Sequence, residues 1–135
     1  MTVPFVVPFY GAIFALLYIG LTFRVIILRN SRGVSLGDGG DPVLVRAIRV
    51  HANFIEYVPL ALILLTAMEM QRRSLYGLHI LCLLLLLGRI CHLLAFSRET
   101  VARPLRVAGV VLTVLVLAVA SIGLIIDFFR ILPAT

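Results

Sequence analysis

Lysine is absent from this chain, and all 12 basic residues are arginine. Acidic residues number only 6, and charged residues together make up 13% of the 135 positions. Soluble domains are nearer a quarter charged and half apolar. Here 62% of residues are hydrophobic and the mean hydropathy is +1.16. A soluble fold of this length would have more apolar side chain than its interior could bury. Lipid is the solvent that remains. A net charge of +6 would suggest a nucleic-acid partner in a soluble chain. The arginines instead stand mostly at the ends of apolar runs, where membrane topology explains them. They form no block with interleaved aromatics, so no nucleic acid is expected.

Other absences narrow the chemistry. The 2 cysteines, Cys82 and Cys91, lie inside one apolar run at a spacing that suits neither a metal nor a redox pair. They read as buried, apolar-like thiols. No HxxxH or HExxH pattern occurs, so no metal is expected. Gly37 to Gly40 form no phosphate loop, because no strand precedes them. No Ser–His–Asp set is apparent. The first charge is Arg24, after the first apolar stretch, whereas a removable signal has basic residues before it. Val3 to Leu28 therefore reads as a retained span.

What remains is four long apolar runs, each near the roughly 20 residues that cross a bilayer as a helix. They cover about Phe5–Leu28, Val43–Met68, Leu75–Phe96 and Leu105–Leu132. They are too long and too unbroken for barrel strands, which need only about 10 alternating residues. The fold expected is an all-α, polytopic bundle of four transmembrane helices, in a single domain covering 1–135. Pro4 and Pro8 are tolerated in the first turns of the first span, and Pro104 marks a helix start. Asn30 to Pro42 has the glycines and aspartates of a loop. The link near Gln71 to Ser74 is so short that spans two and three must form an antiparallel hairpin.

Arginine bias sets an orientation. Arg29, Arg32, Arg46, Arg98, Arg103 and Arg106 lie in or near the first and third linkers, against Arg72, Arg73 and Arg130 on the other side. The richer side is expected to be cytoplasmic, with both termini periplasmic or lumenal. Arg24, Arg32, Arg72, Arg73, Arg98 and Arg130 read mainly as side chains snorkelling to headgroups. His79 and Asp127 read as interfacial.

The second span carries polar residues in the wrong solvent. Arg46, Arg49, Asn53 and Glu56 recur at three- and four-residue steps and so share one helix face. Glu56 stands about 10 Å along the axis from Arg49. An ionised side chain at that depth must be paired, wetted or turned into an interface. Pro59, one turn on, removes the N–H that the Ile55 carbonyl would accept and is expected to kink the helix. Arg89, His92 and Phe96 share a face of the third span, and Arg103 and Arg106 open the fourth. All lie at the end where Arg49 stands, so they can converge with it. Several arginines and one glutamate suit a small molecule with carboxylates and an amine. An internal ion pair that only fixes packing is the alternative.

Arg49-Val50-His51-Ala52-Asn53-Phe54-Ile55-Glu56-Tyr57-Val58-Pro59 resembles the signature of the MAPEG superfamily, the membrane-associated proteins in eicosanoid and glutathione metabolism. The resemblance extends over nearly the whole chain: four spans, a polar first linker, a short second one and a basic start to the fourth helix. Val34 to Gly40 is similar to the first linker of the bacterial, YecN-like branch. The resemblance implies a homotrimer of four-helix subunits in the inner membrane, with glutathione as co-substrate held between neighbouring subunits near the cytoplasmic side. It implies a transferase or peroxidase acting on lipophilic electrophiles or hydroperoxides, while other members only bind lipids and present them to a partner.

Carried over residue by residue, Arg49, Asn53, Glu56 and Tyr57 match the glutathione-binding positions of the second helix. His51 falls where a Gln or His contacts the tripeptide. Arg29, in Arg-x-x-Arg-x-Val-Ser, resembles another binding arginine. Arg89 and His92 complete the binding set, His92 standing where related enzymes have Tyr or His. Arg106 fits the position of the thiolate-stabilising catalytic arginine, with Gly109 completing an Arg-x-x-Gly pattern; counting from Arg89, as in leukotriene C4 synthase, selects Arg103 instead. Phe96 and Leu94 depart from the pattern, occupying positions that are Tyr in several members, and each removes a possible hydroxyl donor. Three alternatives stay open beside the enzyme: a non-catalytic lipid-binding scaffold, a small channel or transporter, and a purely structural trimer.

Overall fold

The computed structural model describes residues 3–96 and 102–131. Within them the chain is an all-α membrane protein with four helices long and apolar enough to cross a bilayer. They are α1 Val6–Arg32, α2 Pro42–Met70, α3 Leu75–Ala95 and α4 Arg103–Ile131. Arg98 lies outside the described residues. Large apolar side chains such as Leu16 and Phe129 are each 70% exposed, as expected of a surface solvated by lipid rather than water.

The ends follow local chemistry. α1 runs a turn past the expected Leu28. Arg29 and Arg32 in its last turn complement the negative end of the helix dipole. Gly33 then stops it in the left-handed conformation at φ 64°, and the Val34 N–H donates to the Arg29 carbonyl at 3.0 Å. Asp41 caps α2 by accepting from the Val43 N–H at 2.9 Å, with Pro42 in the first helical position. Arg32 pairs with Asp41 at 2.7 Å, tying the two ends of the first linker together. α2 stays helical through Pro59. α3 follows after a link in which Arg72 turns the chain at φ 60°, giving the antiparallel hairpin.

α2 and α3 each pack on the other three helices, and the most extensive contact is between α3 and α4. Gly88 and Gly109 make that contact possible. A Cβ on Gly109 would stand 2.7 Å from the Gly88 carbonyl oxygen and 3.0 Å from the His92 backbone nitrogen. Gly20 has nothing within 4 Å of a built Cβ.

At the opposite end, Glu69 closes the bundle. It is 4% exposed and accepts from the N–H groups of Phe5, Val6 and Val7 at 2.8, 2.7 and 2.8 Å. A helix start leaves its first N–H groups without intrahelical partners. Pro8 has none to offer, so one carboxylate satisfies those that remain. The residues read as interfacial at this end are also partnered. Arg73 grips Asp127 through Nε at 2.8 Å and Nη2 at 2.5 Å, and the Tyr10 hydroxyl lies 3.1 Å from His79 Nδ1. These polar groups lock helices to one another as well as marking a depth.

Candidate functional site

The polar face of α2 opens on a cavity of ≈ 360 Å³ lined by Arg49, Ala52, Asn53, Glu56, His92, Phe96, Arg106 and Val110. Three elements build it. α2 supplies Arg49, Asn53 and Glu56 at successive turns of one face. α3 supplies His92 and Phe96, whose rings lie 5.0 Å apart. α4 supplies Arg106, placed by the Gly88–Gly109 contact just beyond it. His92 is buried and Asn53 half-buried, whereas Arg49, Glu56 and Arg106 are exposed on the flank of the bundle.

That exposure matters because of where it lies. Among the described residues the ion pairs within 4 Å are Arg32–Asp41 and Arg73–Asp127. Among those residues Glu56 pairs with no arginine, and the internal ion pair that the sequence left open is not formed. A carboxylate on the outer face of a membrane helix is costly unless something polar covers it.

Arg89 sits elsewhere than its spacing with His92 suggested. It is 4% exposed and lies behind the cavity wall. Nη1 donates to the Asn53 side-chain oxygen at 2.7 Å and to the Asn53 carbonyl at 3.3 Å. Nη2 donates to the Gly109 carbonyl at 3.4 Å and to the Thr113 hydroxyl. The Thr113 hydroxyl donates to the Gly109 carbonyl at 2.8 Å, which leaves its oxygen lone pairs to accept from Arg89. The Tyr57 ring faces the guanidinium, 5.7 Å from its carbon, within the range of a cation–π contact. Arg89 thereby holds Asn53 from behind, and neither Arg89 nor Tyr57 lines the cavity.

His51 and Arg29 also lie away from it. His51 turns toward α1, with Nε2 3.2 Å from the Thr22 hydroxyl and its ring 4.9 Å from that of Tyr18. Arg29 is half-buried in the last turn of α1, and its Nη1 is buried without a hydrogen-bond partner. Of the two arginines at the start of α4, Arg106 lines the cavity and Arg103 does not. Phe96 lines it with a ring that has no hydroxyl, while Leu94 is 49% exposed and absent from the lining.

Sequence reasoning passed over Thr113 and Glu69. Thr113 follows Gly109 by one turn, which places its hydroxyl against the carbonyl that a small residue leaves uncovered. Glu69 is an acid at the end of α2 that meets the proline-bearing start of α1, where free N–H groups gather.

The MAPEG family model matches residues 7–126. The inner membrane protein YecN of Escherichia coli strain K12 and that of Escherichia coli O6:H1 are each 40% identical to this chain over 90 residues, 67% of this chain and 69% of the relative. No solved structure matches it. A match across all four helices, together with the polar face of α2 at the residues that carry the signature, establishes that the chain belongs to the MAPEG family.

Proposed function

We propose that this protein binds glutathione and uses it as a transferase or peroxidase on lipophilic electrophiles or hydroperoxides. The observation that carries the reading is the convergence of Arg49, Asn53, Glu56, His92 and Arg106 on one cavity from three helices. Glutathione has two carboxylates, one ammonium and one thiol. The two guanidiniums suit the carboxylates or the sulfur, and Glu56 suits the ammonium. A free thiol is mostly protonated at neutral pH, and a guanidinium beside it in a medium of low dielectric favours the thiolate. Arg106 has that role. The thiolate sulfur then bonds to an electrophilic carbon while the displaced pair leaves with the leaving group or takes a proton. With a hydroperoxide it attacks the outer oxygen, the alcohol departs protonated, and a second glutathione converts the sulfenic acid to disulfide and water.

The same reading takes the assembly to be a homotrimer with the ligand between subunits. Glu56 and Arg49, exposed on the flank of the bundle with no ion pair among the described residues, support it. It places the site toward the cytoplasmic side of an inner membrane, where the positive-inside bias puts the first and third linkers. Enzyme and membrane together bring a water-soluble thiol to a lipid-soluble partner. Phe96, which offers no hydroxyl to the ligand, favours a second reading: a binder or scaffold that does not ionise the thiol.

The test is glutathione binding to the detergent-purified protein, with thiolate absorbance read on the same sample. Arg49→Ala and Glu56→Gln serve as controls. Binding with a thiolate signal that both variants lose supports the enzyme. Binding without that signal points to the scaffold, and no binding by the folded protein removes the glutathione reading.

A further inference from the structure

A thiol that becomes a thiolate must give its proton to something, and Arg106 cannot take it. A guanidinium has five N–H donors and no acceptor. It stabilises the anion once formed and does nothing for the proton in transit. Among the described residues that line the polar cavity, Glu56 and His92 are the ones whose side chains can act as a base. The Asn53 side-chain oxygen already accepts from Arg89, and an amide is not basic. Glu56 suits the ligand's ammonium, which leaves His92.

His92 is 6% exposed, and the ring contact it makes is with Phe96 at 5.0 Å. Phe96 has no hydroxyl to compete for a proton. Among the described residues the buried side-chain nitrogens and oxygens without a partner belong to Arg29, Asp41 and Arg89, so the His92 nitrogens are not sealed in protein. A neutral imidazole offers one N–H and one lone pair. The backbone of His92 is pressed against α4: a Cβ on Gly109 would stand 3.0 Å from its nitrogen and 3.1 Å from its Cβ. Arg106 precedes Gly109 by three residues and shares its side of the helix. The contact that seats His92 therefore also sets Arg106 near it, and Arg89 and Arg106 both act on the ring electrostatically. The other charged groups around it are Arg49 and Glu56 of α2, in the polar cavity, and Arg24 of α1, in an apolar groove that the ring also lines.

We infer that His92 is the general base of this site, so that Arg106 sets how much thiolate exists and His92 sets how fast it forms. The inference rests on the glutathione reading. The lone pair of one ring nitrogen takes the thiol proton, and sulfur keeps the electron pair of the broken S–H bond. A thiolate and an imidazolium result, side by side. The proton then passes to water through the open side of the cavity, where Arg49, Glu56 and Arg106 are exposed, and the ring returns to its neutral form. Imidazole suits the task because it gains and loses a proton near neutral pH.

Stopped-flow mixing of glutathione with the detergent-purified protein reads both quantities: the rate at which thiolate absorbance rises at saturating glutathione, and its final amplitude. His92→Gln keeps a donor and an acceptor but has no basic nitrogen. Its rate is expected to fall about a hundredfold, the usual worth of a positioned base, with amplitude and glutathione affinity held within a few-fold. His92→Ala is expected to be as slow, and to be accelerated at least about tenfold by added imidazole but not by pyrazole, a ring of the same shape and far weaker basicity. Equal acceleration by the two rings overturns the base role. So does a loss of amplitude in step with affinity at an unchanged rate, which would make His92 a binding group alone. A wild-type thiolate signal with unaltered kinetics in His92→Gln removes the base role and leaves the glutathione reading standing. No thiolate in the wild type removes both.

Discussion

Arg89 on α3 holds Asn53 on α2 by the side-chain oxygen at 2.7 Å and by the backbone carbonyl at 3.3 Å. One buried guanidinium thus fixes the orientation of the amide that faces the polar cavity, and the same group reaches α4 through Gly109 and Thr113. Arginine suits this post because its planar fork meets several acceptors at once.

Arg89→Met keeps the bulk and removes the fork. It is expected to cost about 1–3 kcal/mol of stability through acceptors left unpaired, and to weaken glutathione through a freed Asn53. Arg49→Ala is expected to weaken glutathione by about tenfold or more with stability unchanged. Cys82, which is 0% exposed, supplies the stability readout: its thiol reacts with a fluorogenic maleimide only on unfolding, measured in a Cys91→Ser background. Arg89→Met with full affinity would sink the positioning role.

Arg106 lines the cavity and Arg103 does not. Arg106→Ala is expected to spare glutathione affinity within a few-fold and abolish the thiolate absorbance, whereas Arg103→Ala keeps both. A full thiolate signal in Arg106→Ala rejects its assignment as the stabilising cation.

Glu69→Gln tests the cap of α1. The amide keeps one acceptor oxygen but turns an NH2 group toward a backbone N–H that the carboxylate satisfied. The expected loss is about 1–3 kcal/mol, with faster hydrogen exchange at Phe5, Val6 and Val7. Glutathione affinity should stay unchanged, because the cap lies at the other end of α2 from the polar cavity. Exchange at wild-type rates in those amides would contradict the cap.

Gly109→Ala places a methyl group 2.7 Å from the Gly88 carbonyl oxygen. Forcing the two backbones apart is expected to cost about 1–3 kcal/mol and to lower glutathione affinity by shifting Arg106 away from His92. Gly20→Ala meets nothing within 4 Å and is expected to be neutral or to stabilise by up to about 1 kcal/mol, as replacement of a mid-helix glycine does. Thermal unfolding of the pair separates close packing from helix propensity; equal effects would deny the contact its role.

The sequence by itself determined the solvent, the four helices and the polar face of α2. Those follow from run length, from the cost of charge in hydrocarbon and from helical periodicity, all of which are local. It also brought Arg49, Asn53, Glu56, His92 and Arg106 together, because each stands near the same end of its span. The tertiary structure decided depth and partner. Arg89 and His92 stand three residues apart on α3, yet His92 lines the polar cavity while Arg89 turns behind it to Asn53. That choice depends on where α4 lies, and the close approach at Gly88 and Gly109 sets that position. Glu69 stands at a helix end with nothing in the neighbouring sequence to name its partner. Only the docking of α1 beside it supplied the N–H groups that make it a cap, a relation between residues more than sixty positions apart that no local pattern contains.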